Sequence, residues 1–170
     1  MSNLEKPRNV IDYYQYWTTE AIIADLDERR LNYGVLCVNI HGDFNIGTII
    51  RNANAFLAKE VLVYGKKKYD RRATVGTHNY TRFKHVRDIT EVPDVPIIAV
   101  DNVVDAVPVE QFSFPTTYFL MAFGEESVGL PQEVLDKAAA RVYIRQYGSV
   151  RSLNVGSASA IMMHEYCRRL

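Results

Sequence analysis

The chain has 170 residues, 48% of them hydrophobic and 24% charged, a composition that suits one globular domain with a sizeable core. Twenty basic residues balance twenty acidic ones, so no global basic field announces a nucleic acid, and any RNA contact must come from a local patch. Cys37 and Cys167 lie far apart, which argues against a zinc site or a disulfide framework; with no signal peptide and no membrane-length apolar run, a soluble cytoplasmic protein is expected.

Residues 9 to about 31 read as an amphipathic helix with Val10, Tyr14, Trp17, Ala21 and Ile22 on one face. Its aromatics (Tyr13, Tyr14, Tyr16, Trp17) suit packing on its own domain, an oligomer contact or an RNA-stacking surface. Asn32, Tyr33 and Gly34 end it. Val35 to Ile40 is a continuous apolar run of strand length, the pattern of a parallel strand buried on both faces. The loop His41 to Asn45 feeds a second helix, in which helical spacing aligns Ile46, Ile49, Ile50, Ala53 and Leu57. Arg51 falls nearly opposite that stripe, with Gly47 one turn before it. The helix thus offers an arginine beside a position without a side chain, and room for a ligand to approach. Gly42 and Gly47 have the spacing of a phosphate-binding loop, but Thr48 stands where that loop needs its lysine, and the match fails.

Glu60 to Tyr64 is the next strand, followed by the densest basic run in the chain: Lys66, Lys67, Lys68, Arg71 and Arg72, flanked by Tyr69. Further basic and aromatic residues follow (His78, Tyr80, Arg82, Phe83, Lys84). Such a stretch is either a solvated loop or an RNA-facing surface, where cations meet phosphates and aromatics stack on unpaired bases. Pro96 to Val100 and Thr117 to Phe123 are two more strands. The second leads into Gly124-Glu125-Glu126-Ser127-Val128-Gly129-Leu130, a tight glycine-bearing loop whose backbone is open to a ligand. Pro131 then starts a helix from Gln132 to Ala140. Arg141 to Ile144 is a short strand, and Ser152 is a suitable cap for a last helix that is small and apolar nearly all round from Val155 to Met163. Strands alternate with helices from residue 35 onward, the signature of an α/β sheet with helices on both faces. Ligands of such sheets bind beyond the carboxyl ends of strands, here Val100, Phe123 and Ile144.

Three stretches, in this order, carry a resemblance: Asn45-x-Gly47-x-x-x-Arg51, Gly124-x-Glu126-x-x-Gly129-Leu130, and Ile144-x-x-x-Gly148 followed by Ser152-Leu153-Asn154-Val155. Together they resemble the motifs of the SpoU/TrmH-type RNA methyltransferases of the SPOUT superfamily. Two departures stand out. Ser127 replaces the commoner glycine, and the family's Ile-Pro-Met is Ile144-Arg145-Gln146 here.

The resemblance implies a mostly parallel α/β sheet with helices on both faces and a C-terminal trefoil knot, residues 1–32 forming a helical extension and 33–170 the catalytic domain. It implies an S-adenosylmethionine-dependent RNA methyltransferase acting on a ribose 2′-hydroxyl of tRNA or rRNA, working as a homodimer without metal or membrane. The cofactor would lie against Val100, Gly124, Ile144, Ser152 and Leu153. Arg51 matches the catalytic arginine, which would clamp a phosphate or the incipient alkoxide. Asn45, Glu126, Ser152 and Asn154 would orient Arg51, the ribose or the cofactor. The resemblance also favours Lys66, Lys67, Lys68, Arg71 and Arg72 as RNA contacts. The rival readings are a SPOUT base methyltransferase, a catalytically inactive RNA-binding or assembly protein with the same fold, and a dinucleotide-binding enzyme, which the absence of G-x-G-x-x-G opposes.

Overall fold

The structure is a computed structural model and describes residues 8–40 and 45–170. Of the loop expected from His41 to Asn45, residues 41–44, Gly42 among them, lie outside the described residues, and Asn45 already belongs to a helix. Seven strands form one sheet: β1 (Tyr33–Asn39), β2 (Val61–Gly65), β3 (Phe83–Val86), β4 (Ile97–Val100), β5 (Val107–Pro108), β6 (Phe119–Phe123) and β7 (Ala138–Tyr143). Their order is β3-β2-β1-β6-β4-β7-β5, and every pairing is parallel. Parallel neighbours need crossover connections, so helices must cover both faces. On one face pack α2 (Asn45–Ala55) and α4 (Val155–Cys167), through Ile46, Ile49, Ile50, Met162, Met163 and Tyr166. On the other, α3 (Gln132–Lys137) contributes Val134 against Leu36, Leu62 and Leu120. All seven residues of β1 are buried, as its unbroken apolar run requires.

The chain departs from the sequence reading in several places. The long first helix is two pieces: a 3₁₀ turn at Asp12–Tyr14, then α1 (Thr19–Arg29). Thr18 sits in extended backbone and its hydroxyl accepts from Ala21 N at 3.2 Å, so a cap inside the amphipathic pattern starts the helix late. Tyr33 and Gly34 belong to β1 rather than to a helix stop. Tyr14, Ile22 and Leu26 bury themselves with Tyr80 in a separate small cluster, with Trp17 packed against it, while Tyr13 and Tyr16 are exposed. Leu57 lies beyond α2, at φ 53°, instead of on its stripe.

Two strands carry no sequence signal: β3 (Phe-Lys-His-Val) is polar and half-exposed, and β5 is only two residues long. Ala138 to Ala140 leave the expected helix because they pair with Ile97 and Ile98 of β4; sheet pairing overrides alanine's helix preference. Helix α4 is capped by Asn154, whose side chain accepts from Ser157 N, and not by Ser152. Nor is it buried all round, since Ile161 is 41% exposed and Ser157 and His164 face out. Among the described residues no helix is long and apolar enough to cross a membrane.

Candidate active site

Because all strands run parallel, their carboxyl ends share one rim, and the segments that leave it build the site. Strand β6 delivers residues 124–130. Glu125 and Gly129 close this loop with a pair of backbone hydrogen bonds, Glu125 N to Gly129 O at 3.2 Å and Gly129 N to Glu125 O at 2.8 Å. The two glycines make this closure possible, and both line the cavity described below: a Cβ on Gly124 would overlap the backbone of Gly129. Gly129 itself has φ +72°, and a Cβ there would lie 2.7 Å from the Asp101 carboxylate. Asp101, at the carboxyl end of β4, accepts from Leu130 N at 3.0 Å and Asn102 N at 2.8 Å, which fixes the loop to the neighbouring strand.

Helices α2 and α4 bring the other two motifs together. Asn52 donates to Gly156 O and to Ser159 Oγ, both at 2.9 Å, across the seam between them. A Cβ on Gly156 would stand 2.8 Å from Thr48 Cγ2, so only glycine lets the helices approach this closely. The seam sets the amino ends of the two helices side by side. There Asn154 Nδ2 donates to Asn45 Oδ1 at 2.8 Å and to Glu126 Oε2 at 3.2 Å, and Asn45 Nδ2 donates to the same Glu126 oxygen at 2.9 Å. Three residues separated by up to 109 positions form one hydrogen-bonded set. A carboxylate oxygen taking two amide donors is a strong, oriented anchor.

Beside this set lies a cavity of about 480 Å³ between the ends of β4, β6 and β7. Val100, Gly124, Ile144, Ser152 and Leu153, the residues expected around the cofactor, all line it, and Glu126 joins it to the hydrogen-bonded set. Its size is that of a pocket for a drug-sized ligand. The walls mix apolar groups (Val100, Ile144, Leu153) with Asp101, Arg151 and Ser152. Such walls fit S-adenosylmethionine: an apolar slot suits adenine, Asp101 can accept from hydroxyl or ammonium donors, and Arg151 can meet a carboxylate. Ser152 lies on the cavity wall, outside the Asn45–Glu126–Asn154 set.

Arg51 is exposed on α2, off the buried stripe as the spacing requires, and does not line the cavity. The position before it is not open, however. Gly47 is covered by the chain that follows β2: a Cβ there would lie 2.7 Å from Asp70 O and 3.0 Å from Ala73 Cβ. The end of the basic segment, residues 70–74, therefore lies on α2 one turn from Arg51. Lys66–Lys68 run past the end of β1, where Asn39 Nδ2 donates to Lys66 O and Lys68 O. Lys66, Lys67, Lys68, Arg71 and Arg72 are all exposed. Arg72 pairs with Asp70 at 2.5 Å and holds that carboxyl below its ordinary range. Sequence reasoning missed Asp101, Asn52 and Gly47's packing role. Asp101 had a signal, its place at the carboxyl end of a buried strand; the other two depend on contacts distant in sequence.

A model of the SpoU rRNA Methylase family matches residues 32–164. The chain belongs to this family. It is 28% identical over 165 residues to the tRNA (guanosine(18)-2′-O)-methyltransferase of Escherichia coli K12, a match covering 89% of this chain and 70% of that protein. Among solved structures it is similar to the SpoU methyltransferase AviRb from Streptomyces viridochromogenes in complex with the cofactor AdoMet, at 26% identity and a TM-score of 0.72, covering 82% of this chain and 58% of that one. The chain thus spans under two thirds of AviRb's length. The Aquifex aeolicus TrmH/SpoU tRNA modifying enzyme shares the fold, with a TM-score of 0.76 over 89% of this chain and 83% of that one at 22% identity. The family's α/β fold class is the one the sequence implied.

Proposed function

We propose that this chain is an S-adenosylmethionine-dependent RNA methyltransferase that modifies a ribose 2′-hydroxyl of tRNA. The observation that carries the proposal is the Asn45–Glu126–Asn154 set at the edge of the cavity, because it joins all three family motifs at one place. The similarity to tRNA 2′-O-methyltransferases supports it. The cofactor supplies a methyl group on a sulfonium, an excellent leaving group. What the protein must add is position and charge. Val100, Ile144 and Leu153 hold the adenine, and Ser152 and Asp101 offer its polar partners. Asn45, Glu126 and Asn154 hold the loop ends in register and orient the ribose. Arg51 is a cation with a planar fork and no acceptor, so its role is to clamp a phosphate or the developing alkoxide, not to act as a base.

Further parts of the reading rest on the same carry-over. Residues 33–170 are the catalytic domain, with a C-terminal trefoil knot, and 1–32 an extension; the family match beginning at residue 32 supports that division. The enzyme works in the cytoplasm as a homodimer, for which exposed Ile161 on α4 and exposed Tyr13 and Tyr16 are candidate contacts. Lys66, Lys67, Lys68, Arg71 and Arg72 meet RNA phosphates. No metal takes part. The test is calorimetric titration with S-adenosylmethionine in the presence of a chelator. Undiminished binding is the expected result; absence of binding with or without metal overturns the enzyme reading, and loss only on chelation overturns the metal-free part.

A further inference from the structure

The charge of this neutral chain is unevenly spread. Residues 66–91 hold eight basic and three acidic side chains, a net of +5 in a protein whose total is zero. The three acids are spent internally. Asp70 pairs with Arg72, Asp88 caps Thr90 N at 2.8 Å, and Glu91 accepts from Arg87 N and Asp88 N, both at 3.1 Å. Among the described residues, Lys66, Lys67, Lys68, Lys84 and Arg87 have no ion-pair partner, and all five are exposed.

The topology places Lys66–Lys68 and Arg87 on one rim, while Phe83 and Lys84 lie at the amino half of β3, Phe83 beside Val61 on the α2 face and Lys84 beside Leu62 on the α3 face. Strand β3 is the outer edge of the sheet, β2 lies next, then β1 and β6. Lys66 to Lys68 leave the carboxyl end of β2 and Arg87 leaves that of β3, on the same rim as the Asn45–Glu126–Asn154 set. Three strand spacings separate β6 from β3, roughly 14 Å. On the α2 side of that edge Phe83, 38% exposed, lies 5.7 Å from Tyr69, ring centre to ring centre. Unpaired cations along the rim and the outer edge, with an accessible aromatic pair on one face of that edge, match a phosphate backbone with exposed bases.

We infer that the RNA strand flanking the modified nucleotide leaves the site toward β3, along the rim past Lys66–Lys68 to Arg87, and then turns down the outer edge of β3, with Lys84 on one face of that edge and an unpaired base against Phe83 on the other. This rests on the proposed RNA methyltransferase reading and gives it a direction.

The test is binding of unfractionated tRNA, followed by fluorescence anisotropy across a salt series. Lys84→Ala/Arg87→Ala is expected to weaken binding about tenfold and to flatten the slope of log K against log salt by roughly 1.4, two single-strand contacts. Phe83→Leu should weaken binding of single-stranded RNA more than of duplex. As a charge-matched control, Lys59→Ala/Arg168→Ala removes two exposed cations at the opposite ends of the strands from the rim and should leave both readings unchanged. If wild-type protein binds tRNA and the Lys84/Arg87 variant binds it equally well, the track is wrong. Equal losses in variant and control would point to a diffuse field and overturn it too. A wild-type chain that binds S-adenosylmethionine but no RNA would overturn the RNA reading beneath it.

Discussion

Arg51 is positioned by its helix alone among the described residues, since no hydrogen bond or ion pair there fixes its side chain. That arrangement suits a group whose partner is the substrate, and it separates catalysis from stability. Arg51→Ala opens no core cavity, so it should melt with the wild type and bind S-adenosylmethionine equally well while losing methyl transfer; near-normal transfer would remove Arg51 from catalysis. Arg51→Lys keeps the charge without the planar fork, and a large loss is expected there as well. Asn154 behaves oppositely, because it both caps α4 and donates to Asn45 and Glu126. Asn154→Ala should lower stability by about 1 kcal/mol from the lost cap alone, read as a shift in thermal midpoint, and impair transfer besides. Equal stability would mean that the cap is dispensable.

At the scale of elements, the seam between α2 and α4 decides whether the motifs meet. Gly156→Val should force Thr48 and the helices apart, at roughly 1–3 kcal/mol for an overpacked contact, and reduce cofactor binding even though neither Gly156 nor Thr48 touches the cavity. A stable variant with full affinity would show that the seam does not position the site. The segment after β2 makes a pH prediction. Burial, reinforced by nearby Arg71, lowers the titration of His78, which hydrogen-bonds Thr74. A lowered histidine favours the neutral form in the fold, so its contribution is complete above the ordinary value of 6.5 and is lost as pH falls below it. Thermal midpoints should therefore drop between about pH 7 and 5.5, and less so in His78→Gln; identical profiles would remove His78 from the account.

These elements also show what a sequence can and cannot disclose. Strands β1, β2, β4 and β6 are legible because burial on both faces demands unbroken apolar runs, and α2 because one buried stripe demands helical spacing. Strand β3 at the open edge needs no such run, and β5 is too short to show one. Asn45, Glu126 and Asn154 could be chosen by resemblance, but not their mutual bonds, which span 81, 28 and 109 residues. Gly47 looked like space for a ligand because nothing local says that the chain 23 residues on will cover it.

For the whole molecule, one parallel sheet places a cavity, a hydrogen-bonded anchor and a positive edge along a single rim. The account stands or falls on the reaction that rim performs. Purified protein, S-adenosylmethionine and tRNA lacking the modification, followed by nucleoside mass spectrometry, test it most directly. The account predicts a 2′-O-methylated nucleoside that forms with the wild-type chain and not with Arg51→Ala. Methyl found on a base instead of the ribose, or no methylated nucleoside from a chain that binds both cofactor and tRNA, would contradict it.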